Sequence, residues 1–227
     1  MSTKKYRKRA YGQQGEDLVL KRILSWIVKL PKEYEGFYMD LGAYHPSKHS
    51  VTRLLHDRGW WGVNVDMNQK SVDLFTRKRP NDISVRAAVG NKEGSITGYF
   101  QDRSISLINS CDPSEIERIE RKGKPVREEV VPLMTATSIL ENYAPSVSKI
   151  DFLNVDVQRM ELEALEGLNF ERYKPSVVAV EIYEKSIDHA LKSDVANLMR
   201  SLGYSPVASC VITMFFVRNE LIDGVSR

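Results

Sequence analysis

The chain has 227 residues, 42% hydrophobic and 28% charged, with 33 Lys and Arg against 30 Asp and Glu for a net charge of +3. That composition reads as an ordinary soluble globular chain, long enough for one domain with a full core. A bilayer span is excluded, because the longest helix-like apolar stretch, 18–30, is interrupted by Lys21, Arg22, Ser25 and Lys29.

Lys4, Lys5, Arg7, Lys8 and Arg9 open the chain, and no apolar signal core follows them. Residues 1–12 are read as a flexible basic terminus; contact with nucleic acid or an anionic membrane is the other reading of that charge. Residues 15–30 read as a helix, with Leu20, Ile23, Leu24 and Ile27 at i, i+3, i+4 and i+7 and Pro31 as the stop. Glu16 and Asp17 fall in its first turn, where acids suit the helix dipole. A strand over 36–41, a helix over 50–58 closed by Gly59, a strand over 62–66, a helix over 70–77 and a strand over 83–89 follow. This alternation is that of a doubly wound sheet.

The middle of the chain departs from it. Strands at 95–100 and 126–133 flank a polar insertion at about 101–125, which holds Ser104, Ser106, Asn109, Ser110 and a charged run. Such excursions serve as functional loops or stay disordered, and this one is expected beside the site. Alternation resumes with helix 135–143, strand 150–156, helix 161–168, an almost wholly apolar strand 176–182 and helix 187–202 ended by Gly203. Strands 204–209 and 211–217 then follow with almost nothing between them and predict an antiparallel hairpin. The expected fold is α/β and Rossmann-like, a mostly parallel sheet closing in a C-terminal hairpin, with 13–227 as one domain. Cys111 and Cys210 lie far apart without CxxC or Cys/His spacing. They fit a reduced compartment, taken as the cytoplasm, and no structural zinc is expected.

The chemistry is written at two strand ends. The first strand ends Asp40-Leu41-Gly42-Ala43, and the next ends Val65-Asp66. A glycine lets backbone approach a ligand, and a second acid accepts from two ribose hydroxyls. A dinucleotide fingerprint needs three glycines, and this turn has only Gly42. One glycine with two acids suits a ligand with a ribose and no pyrophosphate, of which S-adenosylmethionine is the common example. The competing readings are a turn cap for Asp40 and a helix cap or solvated strand end for Asp66.

Gly12-Gln13-Gln14-Gly15-Glu16-Asp17, Met39 to Pro46 with Ser50 and Thr52, Gly59-Trp60-Trp61-Gly62, Ile150 to Val157, and Pro175 to Glu181 together resemble the motifs of the FkbM methyltransferases. The resemblance covers roughly residues 12–185, most of the chain. It implies a class I methyltransferase fold, S-adenosylmethionine as donor, and O-methylation of a sugar, glycan or small natural product. It also implies that Gln13 and Asp17, otherwise helix caps, close over donor or acceptor. Three departures stand out: Gly12 replaces a serine, Asp66-Met67 stands for Glu-Pro, and Asp156-Val157-Gln158-Arg159 stands for Asp-x-Glu-Gly.

Transfer to a hydroxyl needs an aligned oxygen and a group to take its proton. Asp156, Glu181 and His45 are the candidates for that acceptor chemistry. Gln13, Asp40, Gly42, Ala43 and Asp66 are the candidates for holding the donor. Asp156 otherwise caps the helix near Met160, Glu181 otherwise meets solvent and pairs with Lys185, and His45 is otherwise a loop histidine. Asp156 and Glu181 at neighbouring strand ends could share a proton or a divalent ion, but two carboxylates make a weak metal set and none is expected. Arg159 reads either as a solvent-facing helix residue or as a fork for an anionic acceptor. His49 and His56 read as helix-surface residues. Trp60 reads as core and Trp61 as sheet-edge cover, with stacking on a ligand as the alternative. A non-catalytic binding module and, ranked last, an RNA methyltransferase are the rival functions; an exposed hairpin edge would permit a homodimer.

Overall fold

The computed structural model describes residues 8–101, 105–107, 109–116, 120 and 125–222. Ser104 and much of the charged run after Glu115 lie outside those residues, as do Lys4, Lys5 and Arg7.

Strands β1 (Phe37–Leu41), β2 (Trp61–Asp66), β3 (Ile83–Arg86), β7 (Phe152–Val155), β8 (Val177–Glu181), β9 (Tyr204–Cys210) and β10 (Thr213–Arg218) form one sheet in the order β3-β2-β1-β7-β8-β10-β9. The first five run parallel. β10 inserts antiparallel between β8 and β9. β9 is an edge strand, which is where Pro206 is tolerated, beside a register shift opposite Phe215 and Phe216.

Side chains alternate across the sheet. Phe37, Met39, Leu41, Val63, Val65, Leu153, Val155, Val178, Val180 and Phe216 enter one core. Tyr38, Phe152, Val177, Ala179 and Phe215 enter the other, under Leu20, Ile23 and Leu24 of the helix α1 (Glu16–Trp26). Trp60 is buried in that second core, while Trp61 stands half exposed, edge-on to Phe37. Among the described residues no helix is long and apolar enough to cross a membrane.

Three expected elements come out differently. The run 83–89 is extended throughout but changes partner at Ala87. β3 stays in the main sheet, whereas β4 (Ala88–Val89) joins a second sheet with β5 (Gly94–Gln101) and β6 (Val126–Met134). Periodicity reports extension and says nothing about which neighbour is bonded. The helix expected at 50–58 shrinks to α2 (Arg53–His56), because Ser50 and Thr52 are drawn into a buried polar cluster. The stretch 187–202 is two helices, Ile187–Ala190 and Asp194–Ser201. Ser186 accepts from His189 N–H and Ser193 from Ala196 N–H, so each helix has its own N-cap.

Candidate functional site

The carboxyl ends of parallel strands are where a doubly wound sheet opens a crevice. Here the ends of β1, β2, β7 and β8 meet at a cleft of two lobes. The first encloses about 590 Å³, partly open to solvent, between Asp66, Met67, Ala87, Ala88 and Val89 on the strand side and Ser106, Leu107, Asn109, Ser110 and Cys111 of the insertion. The second encloses about 450 Å³ and is lined by Gln13, Glu16, Asp40, Ala43, His49, Asn154, Asp156, Glu181 and Thr213, among others. Gly42, Tyr44, Leu107 and Asp156 line both lobes, so the two are continuous. The insertion reaches this place by doubling back on β5, where Ser110 and Tyr99 exchange backbone hydrogen bonds of 2.8 and 3.2 Å.

Asp66 is the hinge of the first lobe. Its Oδ2 accepts Tyr44 N–H at 2.9 Å and its Oδ1 accepts Asn68 N–H at 2.7 Å. Each oxygen retains acceptor capacity. Burial raises its acid to about 6, against the pull of those two amides. It is Asn68, accepting from Lys70 N–H, that caps the next helix, α3 (Gln69–Lys78).

The turn after β1 works differently from a ligand cradle. Gly42 N–H and Ala43 N–H both donate to Val65 O at 2.9 Å. Tyr44 N–H goes to Asp66. These amides are therefore engaged within the protein, and Gly42 and Ala43 line the cleft through shape. Gly42 has φ +79°, and a Cβ there would lie 1.7 Å from the Asp156 carbonyl oxygen. The missing side chain is what lets this turn and the end of β7 touch.

Asp40 is almost wholly buried, with Thr52 Oγ1 donating to Oδ2 at 2.8 Å and Asn154 Nδ2 to Oδ1 at 2.9 Å. Burial, as the largest cause, raises its acid. Behind it stands Arg79, fully buried at the end of α3. Arg79 donates to Pro46 O, Ser50 Oγ, Thr52 Oγ1 and Tyr38 Oη at 2.6–3.1 Å. Tyr38 in turn donates to Asp82, which lies 3.8 Å from Arg79. One guanidinium thus holds the loop between β1 and α2 and, through Thr52, orients Asp40.

At the other end of the second lobe Asp156 and Glu181 stand as neighbouring carboxyls. Burial first, and the neighbouring Glu181 charge second, raise the Asp156 acid well above the usual carboxyl range; Gln158 Nε2, 2.9 Å from Oδ1, pulls the other way. Tyr183 Oη donates to Glu181 at 2.6 Å. Asp156 does not cap the following helix, Glu161–Glu166, whose N-cap position is Met160 without a side-chain cap; Glu161 instead ties down the turn before it. Gln158 and Arg159 are left-handed at φ +53° and +79°, and the turn they make aims Val157 N–H and Arg159 N–H at Glu161 Oε1, 3.2 and 3.1 Å away. Burial raises the Glu161 acid to about 7.

The remaining candidates are placed as follows. Gln13 lines the second lobe, whereas Asp17 is buried, accepting Tyr11 N–H at 2.8 Å. His45 lines neither lobe. Its Nδ1 accepts Ser47 N–H and Lys48 N–H at 2.9 and 3.0 Å, and burial, then nearby cations, lower its pKa. It serves its own turn. His49, expected on a helix, sits in a loop and lines the second lobe. His56 is half-buried near Asp82 rather than on the surface. Glu161, Arg79 and Asn154 were not anticipated. Their signal is burial of a charge or amide, which no local spacing reports.

Seven strands with one antiparallel insertion, and a cleft at the strand ends beside an acid on β2, define a class I methyltransferase fold. The chain belongs to the methyltransferase FkbM domain family, whose sequence model matches residues 40–206. A crystal structure of an FkbM methyltransferase from Methylobacillus flagellatus KT superposes with TM-score 0.51 at 14% identity, over 92% of this chain and 48% of that one. The present chain thus spans about half the length of that protein. A precorrin-6y C5,15-methyltransferase from Geobacter metallireducens GS-15 gives 0.46 at 12% identity, over 96% of this chain and 91% of that one. The METTL16 methyltransferase domain gives 0.47 at 9% identity, over 92% and 69%. No curated protein matches the sequence.

Proposed function

We propose that the protein transfers a methyl group from S-adenosylmethionine to a hydroxyl of a sugar, glycan or other small natural product. The observation that carries this reading is the charge of the continuous cleft. Glu16, Asp40, Asp156 and Glu181 line its second lobe, and no Lys or Arg is among the described residues lining it. Such a lobe suits a ligand bearing an ammonium and a sulfonium, and repels a pyrophosphate. The first lobe complements it with one strand-end carboxylate and small or flexible apolar side chains, Ala87, Ala88 and Met67.

In this reading Asp66 accepts from the ribose hydroxyls with the lone pairs its two amide partners leave. Met67 and Ala88 flank the base, and Gln13 and Glu16 face the amino-acid end. When bound, the sulfonium supplies an electrophilic methyl carbon. The Asp156–Glu181 pair takes the acceptor's hydroxyl proton. A carboxyl whose acid is raised by burial and a like charge is a stronger base once ionised, so transfer gains with pH as Asp156 loses its proton. Tyr183 and Gln158 fix the two carboxyls by one hydrogen bond each.

The test is calorimetric titration with S-adenosylmethionine and S-adenosylhomocysteine. Asp66→Asn is the control of choice, since it keeps an acceptor for one of the two loop amides while removing the charge. Saturable binding weakened about tenfold or more by that change, as for a lost charge-assisted hydrogen bond, supports the reading. Absence of binding by either compound refutes it.

A further inference from the structure

An open groove of about 1290 Å³, lined in part by Tyr183, lies between the loop after β8 and the β9–β10 turn. Two residues lining it hold a backbone that side chains disfavour. Arg159 has φ +79°, and Val211, the turn residue, has φ +54°. Left-handed geometry is uncommon for any residue with a side chain and an outlier for a β-branched one. Glycine would sit at either place without strain. Non-glycine residues in such geometry concentrate at functional sites, where the surroundings hold them in place.

The groove's surface has two components. Val211, Ile187 and Tyr183 are exposed apolar side chains, Val211 the most so at 73%. Among the described residues lining it, Arg159 and Lys185 bring positive charge and Glu184 negative. The Arg159 guanidinium lies 5.4 Å over the Tyr183 ring, whose hydroxyl is bonded to Glu181. Its charge also helps hold Asp112 of the insertion ionised, after the two Ser114 hydrogen bonds. An arginine fork therefore stands one aromatic ring away from the carboxyl pair, at the mouth of a groove of opposite charge to the second lobe.

We propose that this groove is the acceptor subsite, and that it takes an acceptor with an apolar body and a phosphate or carboxylate, the anion on Arg159 with Lys185 beside it. Guanidinium pairs with either anion through two parallel N–H donors. The proposal rests on the methyltransferase reading for the word acceptor, but its binding test does not require the donor.

The experiment titrates the full chain with phenyl phosphate, benzoate and neutral phenyl β-glucoside, with S-adenosylmethionine titrated separately into the same preparations. Arg159→Gly is the decisive variant, because it removes the fork and relieves the strained φ. Its melting curve should remain a single cooperative transition, which shows that the variant is folded. Phenyl phosphate or benzoate should bind the parent, the tighter of the two naming the anion, and lose about tenfold or more in Arg159→Gly, as expected for a charge-assisted hydrogen bond. Binding of neither anion, equal binding in parent and variant, or preference for the neutral glucoside overturns the proposal. Donor binding without anion binding sinks only the groove, and anion binding without donor binding sinks only the methyltransferase reading.

Discussion

Replacing Glu161 by Gln should make the folded protein more stable at alkaline pH and leave it almost unchanged in acid. The carboxyl is 5% exposed and its acid is raised from the ordinary 4.5 to about 7, chiefly by burial. The two amides on Oε1 oppose that rise without cancelling it. Below pH 4.5 the side chain is protonated folded and unfolded, and contributes no pH dependence. Between 4.5 and about 7 the folded state holds a proton the unfolded state has released, so stability falls as pH rises. Above about 7 the loss is complete and constant. Each pH unit between the two values is worth about 1.4 kcal/mol, which sets a ceiling of ~3 kcal/mol. Glutamine keeps the oxygen that accepts Val157 and Arg159 N–H and cannot ionise. His45 and His56, whose acids burial lowers, act with the opposite sign but are common to both proteins and cancel in the difference. Urea denaturation from pH 5 to 8.5 should therefore show the variant gaining on the parent by ~2–3 kcal/mol, about 1 M in midpoint at a typical urea slope. A difference flat within ~0.5 kcal/mol, below what even a partly hydrated carboxyl would produce, would refute the argument that Glu161 is a desolvated acid.

Two further substitutions test the framework behind the site. Gly42→Ala should cost roughly 3 kcal/mol or more, from a methyl driven against the Asp156 carbonyl at 1.7 Å and a φ of +79°. A thermal melt within 2 °C of the parent, under about 1 kcal/mol at this chain length, would show that the β1 turn and the β7 end separate freely. Arg79→Met should cost about 3–5 kcal/mol, because it leaves Asp82 buried without its cation and strips donors from Ser50, Thr52 and Pro46. A melting temperature lowered by less than about 5 °C would mean that this network contributes little to holding the loop.

The parts of the fold legible in the sequence are those in which one residue's neighbours along the chain report its surroundings. The apolar run ending in Glu181 marks a strand buried on both faces, and the closeness of the last two strands marks their hairpin, because each signal is local. What failed was partner choice. Ile83 to Val89 is extended as expected, yet Ala87 divides it between two sheets, and no periodicity of two records which ladder a residue joins. Ser193 is a cap signal inside a run of good helix spacing, and the helix breaks there.

The site shows the same division more sharply. That Asp66 ends β2 was legible because topology follows from alternation. The engagement of the Gly42 and Ala43 amides with Val65 O was not legible, for the complementary reason. A glycine after a strand signals backbone freedom, but not whether that freedom admits a ligand or, as here, another strand's carbonyl. Position 158 extends the point. An amide where the family carries an acid looks like a lost carboxylate when counted along the motif. In space, Gln158 donates to Asp156, and Glu161, three residues on, turns back so that its own carboxylate is buried under the same turn. Its charge reaches Asp156, while Glu181 raises both acids. The loss of an acid from a motif position therefore does not measure the acidity of the place, and the titration of Glu161→Gln, not the motif, measures how much of that charge the fold has restored.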